Sequence, residues 1–200
     1  MHEVTMFGYQ LSRIARSATL LFIMAAGPAF AQNGLDGSFH APVPSTELVW
    51  QGETHSGNYT SHNVFIGVDG FKIMFKRGSV EDGAWIPFCY SCARNVIDMD
   101  AYAALWPLEV GKSVSFRRKR ADGNREWAHV ITVTGTESVT VGAGTFDTFV
   151  VEEVATSIGG SWRSTSHFWW APAVNYMVKQ EIEESSGQWS RDQVINIKSR

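Results

Sequence analysis

The residues of this 200-residue chain whose types and spacing could do chemistry are two cysteines, six histidines and several adjacent carboxylates. Cys89-Tyr-Ser-Cys92 is the sharpest of these signals. A Cys-x-x-Cys pair can be a redox dithiol, half of a metal site or a local structural bridge, and its surroundings choose among them. A thioredoxin-like centre needs the motif to open a helix inside a βαβ pattern, whereas here it follows a strand-like run and precedes a short helical one. Covalent haem would need His at 93, where Ala93 stands. Zinc would need two more ligands, and with no third cysteine they have to come from His40, His55, His62, His129 or His167. A Cys89–Cys92 disulfide is the first reading and a metal- or redox-linked accessory role the alternative; no cofactor or metal is assigned.

The other reactive side chains have plain readings. His55 and His62 flank Gly57-Asn58-Tyr59-Thr60 and can meet across a hairpin, though two exposed histidines near a turn are the simpler account. His129 falls on an apolar strand face, where a histidine is usually a hydrogen-bonded core residue, and His167 alternates onto a polar face with Arg163. Glu152-Glu153 and Glu183-Glu184 read as strand-edge acids. Arg117 to Arg120 read as a solvated charge run at a hairpin tip with Glu126 opposite. No Gly-x-Ser-x-Gly or other nucleophile turn is present, so the expectation is a protein that is not an enzyme.

Location is read from residues 1–31. Arg13 and Arg16 precede the apolar run Ala18 to Ala26, and Ala29-Phe30-Ala31 is a small-x-small cleavage site, which predicts a signal peptide and a mature chain starting at Gln32. Removing Arg13, Arg16 and Glu3 leaves 15 basic and 19 acidic residues. Such mild acidity argues against nucleic acid as a partner. No later run approaches the ~20 apolar residues of a membrane span, and Gln32 is not the cysteine of a lipid-anchored protein. The expected location is the periplasm or outside the cell.

The elements that must position these residues are strands. Residues 32–46 are rich in Gly, Pro and small polar residues and read as an extended segment, followed by a single domain over 47–200. From Glu47 the dominant period is two. Ser113 to Arg120 and Arg125 to Thr134 alternate around Asp122-Gly123, a type I′ turn signal that pairs Lys119 with Glu126, Arg118 with Trp127 and Phe116 with His129. Glu137 to Val141 with Thr145 to Ala155, and Trp162 to Trp170 with Tyr176 to Glu183, make two more hairpins, and Gln188 to Lys198 a last strand. Upstream, Leu48 to Gly52, Asn63 to Val68, Phe71 to Arg77 and Ala84 to Tyr90 also read as strands. Only Ile97 to Trp106 prefers helix, capped by Asp98 or Asp100. The fold class is all-β: a curved antiparallel sheet, half-barrel or small barrel of about 8–11 strands with one short helix.

Three stretches carry a resemblance. Leu105-Trp106-Pro107-Leu108-Glu109-Val110-Gly111-Lys112, Val139 to Thr148 with Gly144-Thr145-Phe146, and Phe168-Trp169-Trp170-Ala171-Pro172 with Val178-Lys179 resemble the landmarks of a group of bacterial exported β proteins of unknown function. That group is similar in architecture to periplasmic lipoprotein-carrier half-barrels. The resemblance implies an apolar concave face, and the alternation places Val114, Phe116, Trp127, His129, Ile131, Phe168 and Trp170 on it. The expected partner is an apolar small molecule or lipid, or an envelope polypeptide, bound in envelope maintenance.

Overall fold

A computed structural model describes residues 34–77, 80–89 and 92–198. The predicted signal peptide, 1–31, and its junction at Gln32 lie outside the described residues. Among the described residues eleven strands form one sheet: β1 (Glu47–Thr54), β2 (Gly57–Asp69), β3 (Lys72–Arg77), β4 (Val80–Trp85), β5 (Val96–Ile97), β6 (Ser113–Lys119), β7 (Glu126–Val141), β8 (Gly144–Ser157), β9 (Arg163–Ala171), β10 (Tyr176–Glu184) and β11 (Trp189–Lys198). Their order is β4-β3-β2-β1-β11-β10-β9-β8-β7-β6-β5, and each neighbouring pair is antiparallel. The sheet is open, with β4 and β5 at its edges. Register shifts at Val49/Trp50, Phe65/Gly67, Phe75/Lys76, Val133/Gly135 and Met177/Lys179 insert extra residues that bend long strands, so the sheet curves around one face.

The connection through Asp122-Gly123 keeps the register the sequence calls for, with Lys119 opposite Glu126, Arg118 opposite Trp127 and Phe116 opposite His129. It is not the expected type I′ turn, because Gly123 alone of the two has positive φ and its N–H donates to the Arg120 carbonyl at 2.8 Å. Gly123 has φ +76, which a residue with a Cβ adopts only with strain. Two expected strands, Arg125 to Thr134 and Glu137 to Val141, are one 16-residue strand, β7, because the shift at Val133/Gly135 absorbs the break in alternation. The expected strand to Tyr90 stops at Trp85, and Ile86 and Cys89 close a tight bridge. The helix is shorter than its pattern: α1 spans Met99–Ala103, with Asp98 Oδ1 accepting from the Ala101 N–H at 3.0 Å.

The segment between β4 and β6 fills the apolar end of the concave face. Phe88, Tyr102 and Leu105 are 0% exposed and Leu108 2%. Phe88 stacks on Trp106 and meets Phe168 and Trp170 edgewise or tilted at 5.6–5.8 Å between centroids, and Tyr102 stands edge-on to Phe116 at 6.0 Å. The Tyr102 hydroxyl donates to the Pro87 carbonyl at 3.0 Å, and burial raises its pKa. From the N-terminal side Phe39 adds a ring against Phe71 and Trp106, and the Leu108 N–H donates to the Gly37 carbonyl at 2.7 Å.

That arrangement corrects the expected apolar lining. Val114, Phe116, Ile131, Phe168 and Trp170 face inward as predicted, yet the chain's own rings cover them, leaving each 9% exposed or less. One helix alone would not have covered this face. The long connection, contributing Phe88, Tyr102, Leu105, Trp106 and Leu108, does so.

Candidate functional site: the polar half of the concave face

Along each central strand the inward row changes from apolar to polar in one direction. Val114 and Phe116 lead to Arg118 on β6, Ile131 to His129 and Trp127 on β7, Val151 to Glu153 on β8, and Trp170 and Phe168 to Ser166 and Ser164 on β9. Val194 leads to Asp192 on β11, and the bulge after Met177 places Gln180 beside it. All these residues are buried except Trp127, which is half-buried. Antiparallel pairing lines the polar members up at the end away from the aromatic plug. There they border an open cleft of about 1640 Å³ whose walls also include Trp50, Tyr59, Trp85, Trp162, Tyr176 and Trp189.

Two hydrogen-bonded networks form its base. In the first, the Arg118 Nε–H donates to His129 Nε2 at 3.0 Å, and His129 Nδ1 lies 2.7 Å from Glu153 Oε1. Because Arg118 has only donors, Nε2 is the acceptor and Nδ1–H donates to the carboxylate. The imidazole lies nearly parallel to the Phe116 ring, 5.1 Å away, and the Arg118 guanidinium carbon sits 3.8 Å from the centre of the Trp127 ring. Burial lowers the pKa of Arg118, and the charge of Glu153 opposes the shift. In the second network Asp192 accepts from Tyr59 Oη at 2.8 Å, Gln180 Nε2 at 2.6 Å and Ser190 Oγ at 3.2 Å. Gln180 Oε1 and the indole nitrogens of Trp50 and Trp85, all from cleft-lining residues, are buried with no partner among the described residues. Tyr176, between those indoles and Trp170, has its pKa raised by burial.

Of the residues named from sequence, Trp127 and His129 line the cleft, while Val114, Phe116, Ile131, Phe168 and Trp170 lie in the filled half. Cys89 and Cys92 are bonded to each other, with Cα atoms 5.4 Å apart, and both are 1% exposed. The bridge ties the end of the Ile86–Cys89 turn to the 3₁₀ turn Cys92–Arg94. Cys89 Sγ is 4.0 Å from His129 Nδ1, so Cys89, His129 and Glu153 bring possible metal-ligating atoms within 4.8 Å of one another. In this arrangement the sulfur is spent in the bridge and Nδ1 carries the proton it gives to Glu153. Cys89 therefore offers a neutral disulfide sulfur rather than the thiolate that binds zinc, and the protonated Nδ1 has no lone pair to give.

The remaining candidates disperse. His55 sits in the turn after β1, while His62, opposite Val49, holds Glu47 at 2.7 Å, so the two do not converge. His167 is on the outer face, 3.3 Å from Glu152. Two readings need correction: Glu153 is not a strand-edge acid but a buried one at 5% exposure, and Arg118 does not belong to a solvated run, being 6% exposed. The signal for both lay in the alternation. Positions two beyond Phe116 and Val151 must face the same way as those residues.

The family described as "Protein of unknown function (DUF3108)" matches residues 53–188. No curated protein matches the chain. Among solved structures, a chain from Parabacteroides distasonis, provisionally described as a lipoprotein, is similar at 15% identity and TM-score 0.48, covering 80% of this chain and 98% of its own. One from Bacteroides fragilis, provisionally described as an exported protein with a YmcC-like fold, is 13% identical at TM-score 0.46, covering 81% and 99%. The hypothetical lipoprotein YmcC from Escherichia coli is 10% identical at TM-score 0.47, covering 79% and 87%.

Proposed function

Because the chain belongs to the DUF3108 family of proteins of unknown function, we propose its role from its own geometry: an exported, non-enzymatic protein of the cell envelope that holds an amphiphilic ligand in the cleft. The single observation that carries this reading is the cleft itself. At about 1640 Å³ it exceeds the ~300–1,000 Å³ of ordinary ligand sites. Its walls combine indole and phenol rings with a base of Arg118, Glu153, Gln180 and Asp192. A wholly apolar guest would strip water from these groups without replacing its hydrogen bonds, a cost of about 1–3 kcal/mol for each group left unpaired. A guest with a polar end and an apolar body suits both parts, whether lipid or polypeptide segment. The engaged nitrogens of His129 support the non-enzymatic side, since neither is free to serve as a base toward Ser164 or Ser166.

Export is carried by Arg13, Arg16, the Ala18 to Ala26 run and Ala29-Phe30-Ala31. Native mass spectrometry of protein recovered from its own periplasm is expected to show a non-covalent small-molecule or peptide adduct and an N-terminus at Gln32. Intrinsic fluorescence is expected to quench as a fluorescent acyl probe enters beside Trp127, Trp162 and Trp189. An N-terminus at Met1 overturns export. An adduct-free protein whose tryptophan emission ignores the probe overturns binding.

A further inference from the structure

We infer that Arg118 is a recognition point for an oxyanion, a carboxylate or phosphate group carried by whatever enters the cleft; this rests on the binding reading above. Arg118 is 6% exposed, and its orientation is fixed twice, by the Nε bond to His129 and by the Trp127 ring beneath it. Glu153 holds His129 from the other side, so this acid acts on Arg118 through space and makes no hydrogen bond to its guanidinium. Nη1 and Nη2 form no hydrogen bond or ion pair with any described residue. A nearly buried guanidinium with its forked edge unoccupied, at the wall of a cleft, presents parallel N–H donors of the geometry that carboxylate and phosphate oxygens accept.

The surrounding charges favour the same sign of guest. Arg94 and Arg125 also line this end of the cleft, and Arg94 and Trp127 share with Arg118 a side cavity of about 490 Å³. The nearby acids are engaged elsewhere: Glu126 with Arg117 at 3.2 Å and Asp122 with Arg120 at 3.1 Å. At the opposite wall Glu184 accepts from Trp162 and Ser186, and Asp192 from Tyr59, Gln180 and Ser190. Arg118 therefore offers an anion charged open donors, whereas the indole N–H groups of Trp50 and Trp85, which find no partner among the described residues, are uncharged.

The test titrates the disulfide-intact chain from Gln32 onward with dodecyl phosphate, dodecanol and inorganic phosphate, read by calorimetry. Dodecyl phosphate is expected to bind about ten- to a hundredfold tighter than dodecanol, the usual worth of a charge-assisted hydrogen bond. Arg118→Gln should erase that ratio, and Arg118→Lys should keep only part of it. Should Arg118→Gln fail to fold, competition in the unaltered protein decides: excess inorganic phosphate must weaken dodecyl phosphate and leave dodecanol untouched. Inorganic phosphate binding with the same dependence on Arg118, while neither dodecyl compound binds, supports the oxyanion site with free phosphate as its source and overturns the amphiphile. Equal affinity for the two dodecyl compounds overturns the oxyanion inference and leaves the binding reading standing. A ratio that survives Arg118→Gln removes Arg118 from the role, and no binding of any probe overturns both readings.

Discussion

Replacing Phe88 tests whether the aromatic plug is the keystone of the filled half. Phe88 is 0% exposed, touches Trp106, Phe168 and Trp170, and holds φ +60, the left-handed region that residues with a Cβ enter at a cost. Phe88→Ala removes the ring and keeps the strain, so the loss is the transfer-plus-cavity cost of a core phenylalanine, about 3–5 kcal/mol. Phe88→Gly loses the same ring and adds about 0.5–1 kcal/mol of backbone entropy. It also relieves about 1–2 kcal/mol of left-handed strain. The two opposed terms nearly cancel, so the glycine variant should be as stable as the alanine variant or slightly more so. For a domain of this size each kcal/mol corresponds to roughly 2–4 °C, so both variants should melt about 6–20 °C lower. Urea titration followed by tryptophan emission measures the free energies, and calorimetry the melting points. A loss below ~1 kcal/mol for Phe88→Ala would show that the ring does not hold the plug. A glycine variant clearly weaker than alanine would show that the backbone there is unstrained.

Three further outcomes are expected. Glu153→Ala leaves the buried Nδ1–H of His129 without its acceptor and should cost about 1–3 kcal/mol, with Glu153→Gln milder because its amide oxygen can still accept; equal losses in urea would refute the hydrogen-bond account. Gly37→Ala would drive a Cβ into the backbone of Leu108, so residues 34–46 should lose amide-exchange protection while the central strands keep theirs; unchanged protection shows that this contact does not seat the segment. Asp36 has its pKa lowered to about 2, first by the Ser38 N–H it accepts and then by His40. A depressed carboxylate supports the fold above its usual 3.8 and loses that support as pH falls toward 2. Asp36→Asn should flatten that part of an acid titration of the N-terminal turn followed by NMR, and an unchanged profile speaks against it.

The strands were legible because their cues are local. Asp122-Gly123 fixes a register by itself, and alternation over Val114, Phe116, Ile131 and His129 reports which way each side chain points. The bulges were not legible, since one extra residue at Val133/Gly135 looks like the end of a strand until its partner is known. Glu153 was missed for a related reason. An acid next to another acid suggests solvent, yet the spacing from Val151 and Ala155 fixes its direction regardless of charge. The filling of the apolar half was illegible on other grounds: nothing near Phe88 or Trp106 in sequence says that they fold back on Trp170, about 80 and 64 residues away.

One pairing in the sheet differs from all the others. Every neighbouring pair of strands is consecutive in the chain except β1 with β11, whose register joins Glu47 to Lys198. The remaining contacts can form as a run of local hairpins on fast timescales, but this seam waits for the eleventh strand to be made and to find the first across more than a hundred intervening residues. Until it does, β1 and β10 each present an unsatisfied row of N–H and C=O groups, the geometry that recruits strands from other chains. A molecule trimmed before Trp189 would carry those two open edges permanently. Its natural failure is then not a loosened domain but end-to-end polymerisation, with β1 of one copy taking the place that β11 should fill beside β10 of the next.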